Sequence, residues 1–251
     1  MAGPQRKSRI MKDDERRVTA YHEAGHALVA HALPHTDPVH KITIMPRGRA
    51  LGYTMILPEE DRYSTTRNQL LDQLAYSLGG RAAEELIFHD PSTGASNDIE
   101  KATALARAMV TQYGMTEAIG AIKLGANSDT PFMGRDYAHQ RDYSESIAGV
   151  VDHEIRALIE NAHQEAFDIL VANRTILDEM VLELLDKETL NKEEIIEIFK
   201  KVKAVTHRPA WTGSVTRIPS VLPPVDIPER VVVVAEPKKS VRRKKAPSGD
   251  Q

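Results

Sequence analysis

The segment His22-Glu23-Ala24-Gly25-His26 constrains this chain more than any other feature, because its residues form a site only on a helix. Four residues of an α-helix turn through about 400°, so the two imidazoles lie on one face and can reach the same metal ion. Glu23 lies about 100° further round, beside the ion rather than bound to it. Apolar residues recur at helical spacing between Lys12 and Leu33, and Pro34 ends the predicted helix.

This spacing is typical of a zinc site that activates water. Zinc lowers the pKa of a bound water to about 7, and a neighbouring carboxylate can accept the proton. A catalytic zinc needs a third protein ligand and an open fourth position. The 251 residues include no cysteine, so the third ligand is a histidine or a carboxylate. Candidates are Glu84 and Glu85 in the second predicted helix and Asp98 at the start of the third, and spacing alone leaves the choice open.

The remaining pattern predicts a mainly α fold with a small β ribbon near the active site. Residues 41–57 alternate as two strands around a Pro-Arg-Gly turn. The pair Gly79-Gly80 inside the second helix indicates close packing or a break, since each glycine costs about 1 kcal/mol in helix propensity. The predicted helices after the ribbon are Thr66 to about Phe88, Ser96 or Asn97 to Tyr113, Tyr143 to about Ala172, and Asn191 to about Val205.

The end of the chain differs in composition from the rest. Residues 208–251 hold nine basic and four acidic residues and seven of the 14 prolines. Such sequence buries too little apolar surface to offset its ordering entropy. We therefore predict a folded domain at 1–207 and a Pro-rich, basic, disordered tail at 208–251. The basic residues between Lys238 and Lys245 leave nucleic acid or anionic lipid as an alternative, but the net charge of -3 favours no nucleic-acid partner.

Four motifs together resemble the FtsH-type ATP-dependent zinc metalloproteases. They occur in that family's order, and the resemblance covers residues 5 to about 207. Residues 208–220, with Trp211, are similar to the continuation found in actinobacterial members. The motifs are Thr19-Ala-Tyr-His-Glu-Ala-Gly-His-Ala-Leu-Val29, Leu51-Gly-Tyr-Thr54, Leu78-Gly-Gly-Arg-Ala-Ala-Glu-Glu85 and Ser92-Thr-Gly-Ala-Ser-Asn-Asp98.

The resemblance implies a helical zinc metalloendopeptidase domain and a complete set of site residues. His22, His26 and Asp98 are then the ligands of one zinc ion per chain, and Glu23 is the catalytic general base. Glu84 becomes either a residue that orients a ligand histidine or an ordinary helical charge. An inactive homologue that serves in assembly is the rival interpretation, and the intact Glu23 argues against it.

The family also implies partners and a location. The expected substrates are unfolded or threaded proteins, bound along a strand edge, and the expected assembly is a homohexamer. The expected role is protein quality control at the cytoplasmic face of the bacterial inner membrane. The sequence contains no G-x-x-x-x-G-K-[ST], so we expect ATP to act only through an AAA+ module missing from this fragment. No run of about 18 apolar residues occurs, so we expect membrane attachment only through a missing N-terminal part.

Overall fold

The computed structural model describes residues 11–46, 51–58, 62–125, 143–205 and 208–228. These ranges contain six α-helices and one three-stranded sheet, so the predicted mainly α fold with a small β element is confirmed. None of the described helices combines the length and the apolar character that a bilayer crossing requires. The helices are α1 (Asp13–Ala32), α2 (Arg67–Phe88), α3 (Ser96–Thr111), α4 (Glu145–Ala172), α5 (Arg174–Lys187) and α6 (Lys192–Phe199), and the strands are β1 (Val39–Thr43), β2 (Tyr53–Ile56) and β3 (Thr189–Asn191).

The backbones of α1 and α2 touch where two glycines face each other. A Cβ atom added to Gly25 would lie 2.5 Å from the carbonyl oxygen of Gly79, and one added to Gly79 would lie 2.8 Å from that of Gly25. No other residue type allows this approach. The helix α2 continues through Gly79 without interruption, so the close packing predicted for the glycine pair is correct and the break is not. The crossing brings α2 directly behind the motif histidines.

Side-chain caps begin α2 and α6 at the residues that the sequence predicts. Thr66 and Gln69 form a complete capping box at the start of α2, and Asn191 and Glu194 form another at α6. Each box satisfies backbone N–H groups that have no partner inside the helix. The start of α3 differs from the prediction, because Ala95 is its cap and no side chain bonds the first turn.

The sheet is larger than the predicted ribbon. Strand β1 is central and pairs antiparallel with β2 on one side and β3 on the other. The third strand, β3, lies near the C-terminal end of the domain sequence, so the residues around the ribbon do not predict it. The ribbon is thereby joined to the C-terminal helices.

Two elements between Ala172 and Asn191 are absent from the sequence prediction. Helix α5 follows α4 after a single residue, Asn173, which is almost fully buried. The Asn173 side chain donates to the carbonyl of Ile169 (2.9 Å) and accepts from the N–H of Lys203 (2.7 Å). The Asn173 backbone has non-helical dihedral angles, so α4 ends here, and the side-chain bonds tie this junction to the segment after α6.

The start of the predicted tail packs against the domain. The Arg208 guanidinium bonds the fully buried Asp72 carboxylate and also Glu165 (2.6 Å). The Arg67 guanidinium lies over the Trp211 ring, 4.5 Å from its centroid. Packing therefore extends past the boundary near His207, because Arg208 supplies the cation that pairs with a fully buried carboxylate. The basic residues 238–245 lie outside the described residues, and the disorder of 208–251 stays a prediction.

Candidate metal centre

Three side chains from α1 and α3 converge on one point. The Nε2 atoms of His22 and His26 lie 3.1 Å apart. The Oδ2 atom of Asp98 lies 3.4 Å from the first and 3.5 Å from the second. Ligands arranged tetrahedrally at 2.0–2.1 Å from zinc are about 3.3 Å from one another. The three atoms therefore have the separations that a zinc ion requires.

The other ring nitrogens are already bonded. The Nδ1 atom of His22 lies 2.7 Å from Glu84 Oε1, and that of His26 lies 2.7 Å from the carbonyl oxygen of Tyr76. Both oxygens are acceptors, so each Nδ1 carries the hydrogen; the Gly80 N–H approaches His26 Nδ1 only at 3.4 Å, a much longer contact. If both rings are neutral, two Nε2 lone pairs face each other and the Asp98 carboxylate. Such a cluster needs a positive charge at its centre, and this pattern of partners is typical of metal-bound histidine.

Without metal, a proton fills the same need. Burial lowers the pKa of His22, but hydrogen bonds to Asp98 and Glu84 outweigh it and raise this pKa to about 9. Burial raises the pKa of Asp98, but hydrogen bonds from His22 and His26 dominate and hold it well below its usual range. The pair is thus an imidazolium beside a carboxylate at neutral pH, and the site favours a cation.

Helix α2 passes behind the histidines at Gly80. A Cβ atom at this position would lie 2.5 Å from Nε2 of His26 and 2.6 Å from Nε2 of His22. Real Cβ contacts essentially never fall below 3.0 Å. The site therefore requires glycine at position 80, because any side chain there would overlap the two imidazoles.

Glu84 connects the two segments that carry the cluster. Its carboxylate is 1% exposed; Oε1 binds His22 and Oε2 accepts a 2.5 Å hydrogen bond from the backbone N–H of Ser92. Burial raises the pKa of Glu84, but the bonds from His22 and Ser92 prevail and lower it. An ionised Glu84 fixes the His22 ring and the segment that leads to Asp98. An ordinary surface charge does not fit this burial.

The structure separates the three carboxylates that the sequence left open as third ligand. Asp98 lies with the Nε2 atoms, whereas Glu84 lies on the opposite side of the His22 ring. Glu85 pairs with Arg81 (2.5 Å) and His163 (2.9 Å) instead. An acid in the first turn of a helix is most often a cap or a dipole partner. Asp98 instead faces the imidazoles.

Glu23 is held between α1 and the sheet. It is 7% exposed, and its Oε2 lies 2.8 Å from the Oγ1 of Thr54 in β2. Burial raises the pKa of Glu23, against the opposing effect of His26 and His22. The Thr54 hydroxyl can donate to the carboxylate, or accept from its protonated form while donating to the Glu23 carbonyl 3.0 Å away. Both protonation states of Glu23 therefore have a partner.

Sequence reasoning missed several residues that shape this site. Thr54 belongs to the Leu51-Gly-Tyr-Thr54 motif, but the motif alone did not predict a role for this side chain. Ser92 and Tyr76 contribute backbone groups, which carry no residue signature. The Gly79-Gly80 pair signalled close packing without revealing that histidines are what pack there.

Comparison with known proteins places the chain in a family. The model for peptidase family M41 matches residues 9–198. A protein of Cutibacterium acnes named ATP-dependent zinc metalloprotease FtsH is 61% identical over 229 residues, which is 91% of this chain and 32% of that protein. Proteins of the same name from Rubrobacter xylanophilus and Mycobacterium tuberculosis are 51% and 45% identical, over 84% and 93% of this chain and 33% and 31% of their own lengths.

The chain thus spans about a third of the length of the curated relatives that it matches. The match covers all four motifs and the three convergent side chains. The relatives are zinc metalloproteases by name, and the donor set described above fits that metal. The chain therefore belongs to peptidase family M41, the zinc-dependent peptidases of the FtsH type.

Proposed function

We propose that this chain hydrolyses peptide bonds with one zinc ion held by His22, His26 and Asp98 and with Glu23 as general base. The observation that carries the proposal is the convergence of the two Nε2 atoms and Asp98 Oδ2 within 3.1–3.5 Å. Zinc in such a site polarises a carbonyl group and lowers the pKa of water to about 7. The protein's own contribution is to orient these groups and to move protons.

Glu23 is suited to that transfer. A general base works best when its pKa lies near the working pH, and burial raises the pKa of this carboxyl group toward that range. Thr54 holds Oε2, so Oε1 is the oxygen left to accept a proton from water and to pass it to the leaving amine. Glu84 and the Tyr76 carbonyl keep the His22 and His26 rings in the tautomers described above.

The substrate class that fits this site is an extended, unfolded polypeptide. Strand β2 pairs with β1 on one side only among the described residues, and it lies directly against Glu23. An extended peptide can add to such an edge by main-chain hydrogen bonds, which give little side-chain selectivity. Most of the backbone of a folded protein is already paired within its own helices and sheets and cannot add to this edge, so we expect a folded protein to be a poor substrate for this chain alone.

The remaining part of the proposal concerns a longer protein like the relatives named above, of which this chain covers about a third. We propose that the domain works in a membrane-anchored AAA+ protease at the cytoplasmic face of the bacterial inner membrane. The names of the relatives include ATP dependence, which supports the ATPase part of this proposal. In that setting we expect a homohexamer whose ATPase module threads substrates for protein quality control.

The general-base assignment is tested by Glu23→Gln. We expect it to retain one zinc per chain and to lose about 10²- to 10⁴-fold in turnover of unfolded casein, since the amide cannot accept a proton. Glu160→Gln, on the exposed face of α4, is the matched control and should behave as the native chain. Cleavage by Glu23→Gln at the native rate would show that another group removes the proton.

A further inference from the structure

The direction of the backbone groups at residues 41–44, in and just after the regular part of β1, follows from one hydrogen bond. The Ile44 N–H donates to the Glu188 carbonyl at 3.0 Å, and Ile42 lies opposite Leu190 in β3. Along an antiparallel strand, the N–H and C=O groups of successive residues point to opposite sides. Ile42 and Ile44 therefore bond toward β3, and Thr43 between them bonds toward β2.

The same alternation fixes which residue of β2 faces outward. Thr43 lies opposite Tyr53, and Lys41 lies opposite Met55. Tyr53 and Met55 thus direct their backbone groups toward β1. The N–H and C=O of Thr54 consequently point away from β1, to the edge that has no neighbouring strand in the described part of the chain.

The side chain of Thr54 turns the other way, onto the general base. Its hydroxyl lies 2.8 Å from Glu23 Oε2 and 3.0 Å from the Glu23 carbonyl oxygen. The strand approaches this closely because Gly52 lacks a side chain: a Cβ atom there would lie 2.8 Å from Glu23 Cγ. One residue therefore has its main chain at the open edge and its side chain on the catalytic carboxylate.

We propose that Thr54 is the positioning residue that sets Glu23 against the substrate. Its N–H and C=O pair with the extended peptide, and its hydroxyl fixes the Glu23 carboxylate relative to that peptide. The inference rests on the proposed function and adds to it the residue that couples substrate register to proton transfer. A main-chain contact alone would bind substrate without aligning the base.

The side-chain half is tested by Thr54→Val and Thr54→Ser in the zinc-loaded chain. Valine keeps the shape and removes the hydroxyl; we expect kcat on a quenched-fluorescence peptide to fall about 10- to 100-fold, the worth of one hydrogen bond to a charged group. KM and zinc content should stay within about twofold of native, since a lost positioning bond affects the transition state more than substrate binding. Serine should recover kcat to within about threefold of native.

Thr175→Val, at an exposed position of α5, is the matched control and should leave kcat unchanged. A native kcat in Thr54→Val would overturn the inference, and so would a serine variant as slow as the valine variant. A valine variant that loses zinc would also overturn it, because the residue would then support the metal centre rather than the base.

The main-chain half is tested by binding rather than by turnover. In a zinc-loaded Glu23→Gln background, fluorescence anisotropy gives the affinity for an uncleaved unfolded peptide with Thr54 intact and with Thr54→Val or Thr54→Pro added. Proline removes the outward N–H at a place where an edge strand tolerates it. We expect Thr54→Pro to weaken binding at least about 10-fold and Thr54→Val to leave it within about twofold. Equal affinities of the proline and valine variants would contradict the main-chain contact.

Different experimental results would refute the general-base assignment and the role of Thr54. An active Glu23→Gln chain would refute the general-base assignment, and with it the reason for Thr54 to align that group. An inactive Glu23→Gln chain beside a fully active Thr54→Val chain would leave the proposed function standing and refute only the role of Thr54.

Discussion

Gly80→Ala gives a sharp prediction, because the three atoms nearest to the added methyl group all belong to His22 and His26. The Cβ would lie 2.5–2.6 Å from Nε2 of both histidines, whereas ordinary contacts begin at 3.4 Å. Contacts below 3.0 Å essentially never occur, so both rings must give way by at least about 0.4–0.5 Å. A ligand distance can depart from its ideal value by only about 0.2 Å, so the displaced nitrogen no longer binds.

The expected loss of zinc affinity is at least about 100-fold, the upper end of the effect of removing a ligand's outer partner. The metal-free fold should survive. Alanine adds about 1 kcal/mol of helix propensity in α2, which offsets about 1 kcal/mol for a hydrogen bond lost when a ring rotates. Zinc affinity would be measured by competition with a chelator, and stability of the metal-free chain by urea unfolding.

Gly149→Ala is the matched control, since a Cβ on this glycine of α4 meets nothing within 4 Å. It should bind zinc as the native chain does and gain about 0.4–1 kcal/mol in stability. Native zinc affinity in Gly80→Ala would refute the placement of the metal between the two Nε2 atoms. A metal-free Gly80→Ala chain that does not fold would refute the expected balance between helix propensity and the lost hydrogen bond.

Two further predictions concern the tail contact and the charge of the site. Arg208→Ala should lower the free energy of unfolding by about 3–5 kcal/mol, because Asp72 is fully buried and loses its cation. Urea unfolding measures this loss, with the exposed Arg217→Ala as control. An effect below about 1 kcal/mol would show that Asp72 does not depend on this cation. Zinc binding at pH 7.5 should release about one proton, because the pKa of His22 is about 9 in the metal-free chain and its proton must leave. Calorimetry in two buffers of different ionisation enthalpy measures the release; the apparent affinity should rise with pH up to about 9, and binding without proton release would contradict a protonated His22.

The parts of the structure that sequence predicts well depend on near neighbours in the chain. The paired histidines follow from four-residue spacing on α1, and the starts of α2 and α6 follow from capping boxes only three residues long. Helix α5 had such a signal too, because its buried residues recur at helical spacing, and the sequence prediction passed over it. Those residues are Ile176, Leu177, Met180, Val181 and Leu184.

The parts that sequence alone leaves open depend on contacts between distant segments. Spacing cannot separate Asp98 from Glu84 as third ligand, since the difference lies in which face of the His22 ring each carboxylate meets. Composition favours disorder after residue 207, yet the buried charge of Asp72 holds Arg208 in place. Strand β3 pairs with β1, which lies about 150 residues earlier in the chain. In each of these cases the interacting residue is distant in the sequence, so a local sequence pattern does not reveal it.

The proposed ligand set is tested most simply by the zinc content of the native chain beside Asp98→Asn and Asp90→Asn. Asp90 is an exposed residue in the connection between α2 and α3, shortly before Asp98, so it controls for loss of a charge nearby. We predict about one zinc per chain in the native and Asp90→Asn forms and its loss in Asp98→Asn. Full zinc content in Asp98→Asn would contradict the ligand set of His22, His26 and Asp98.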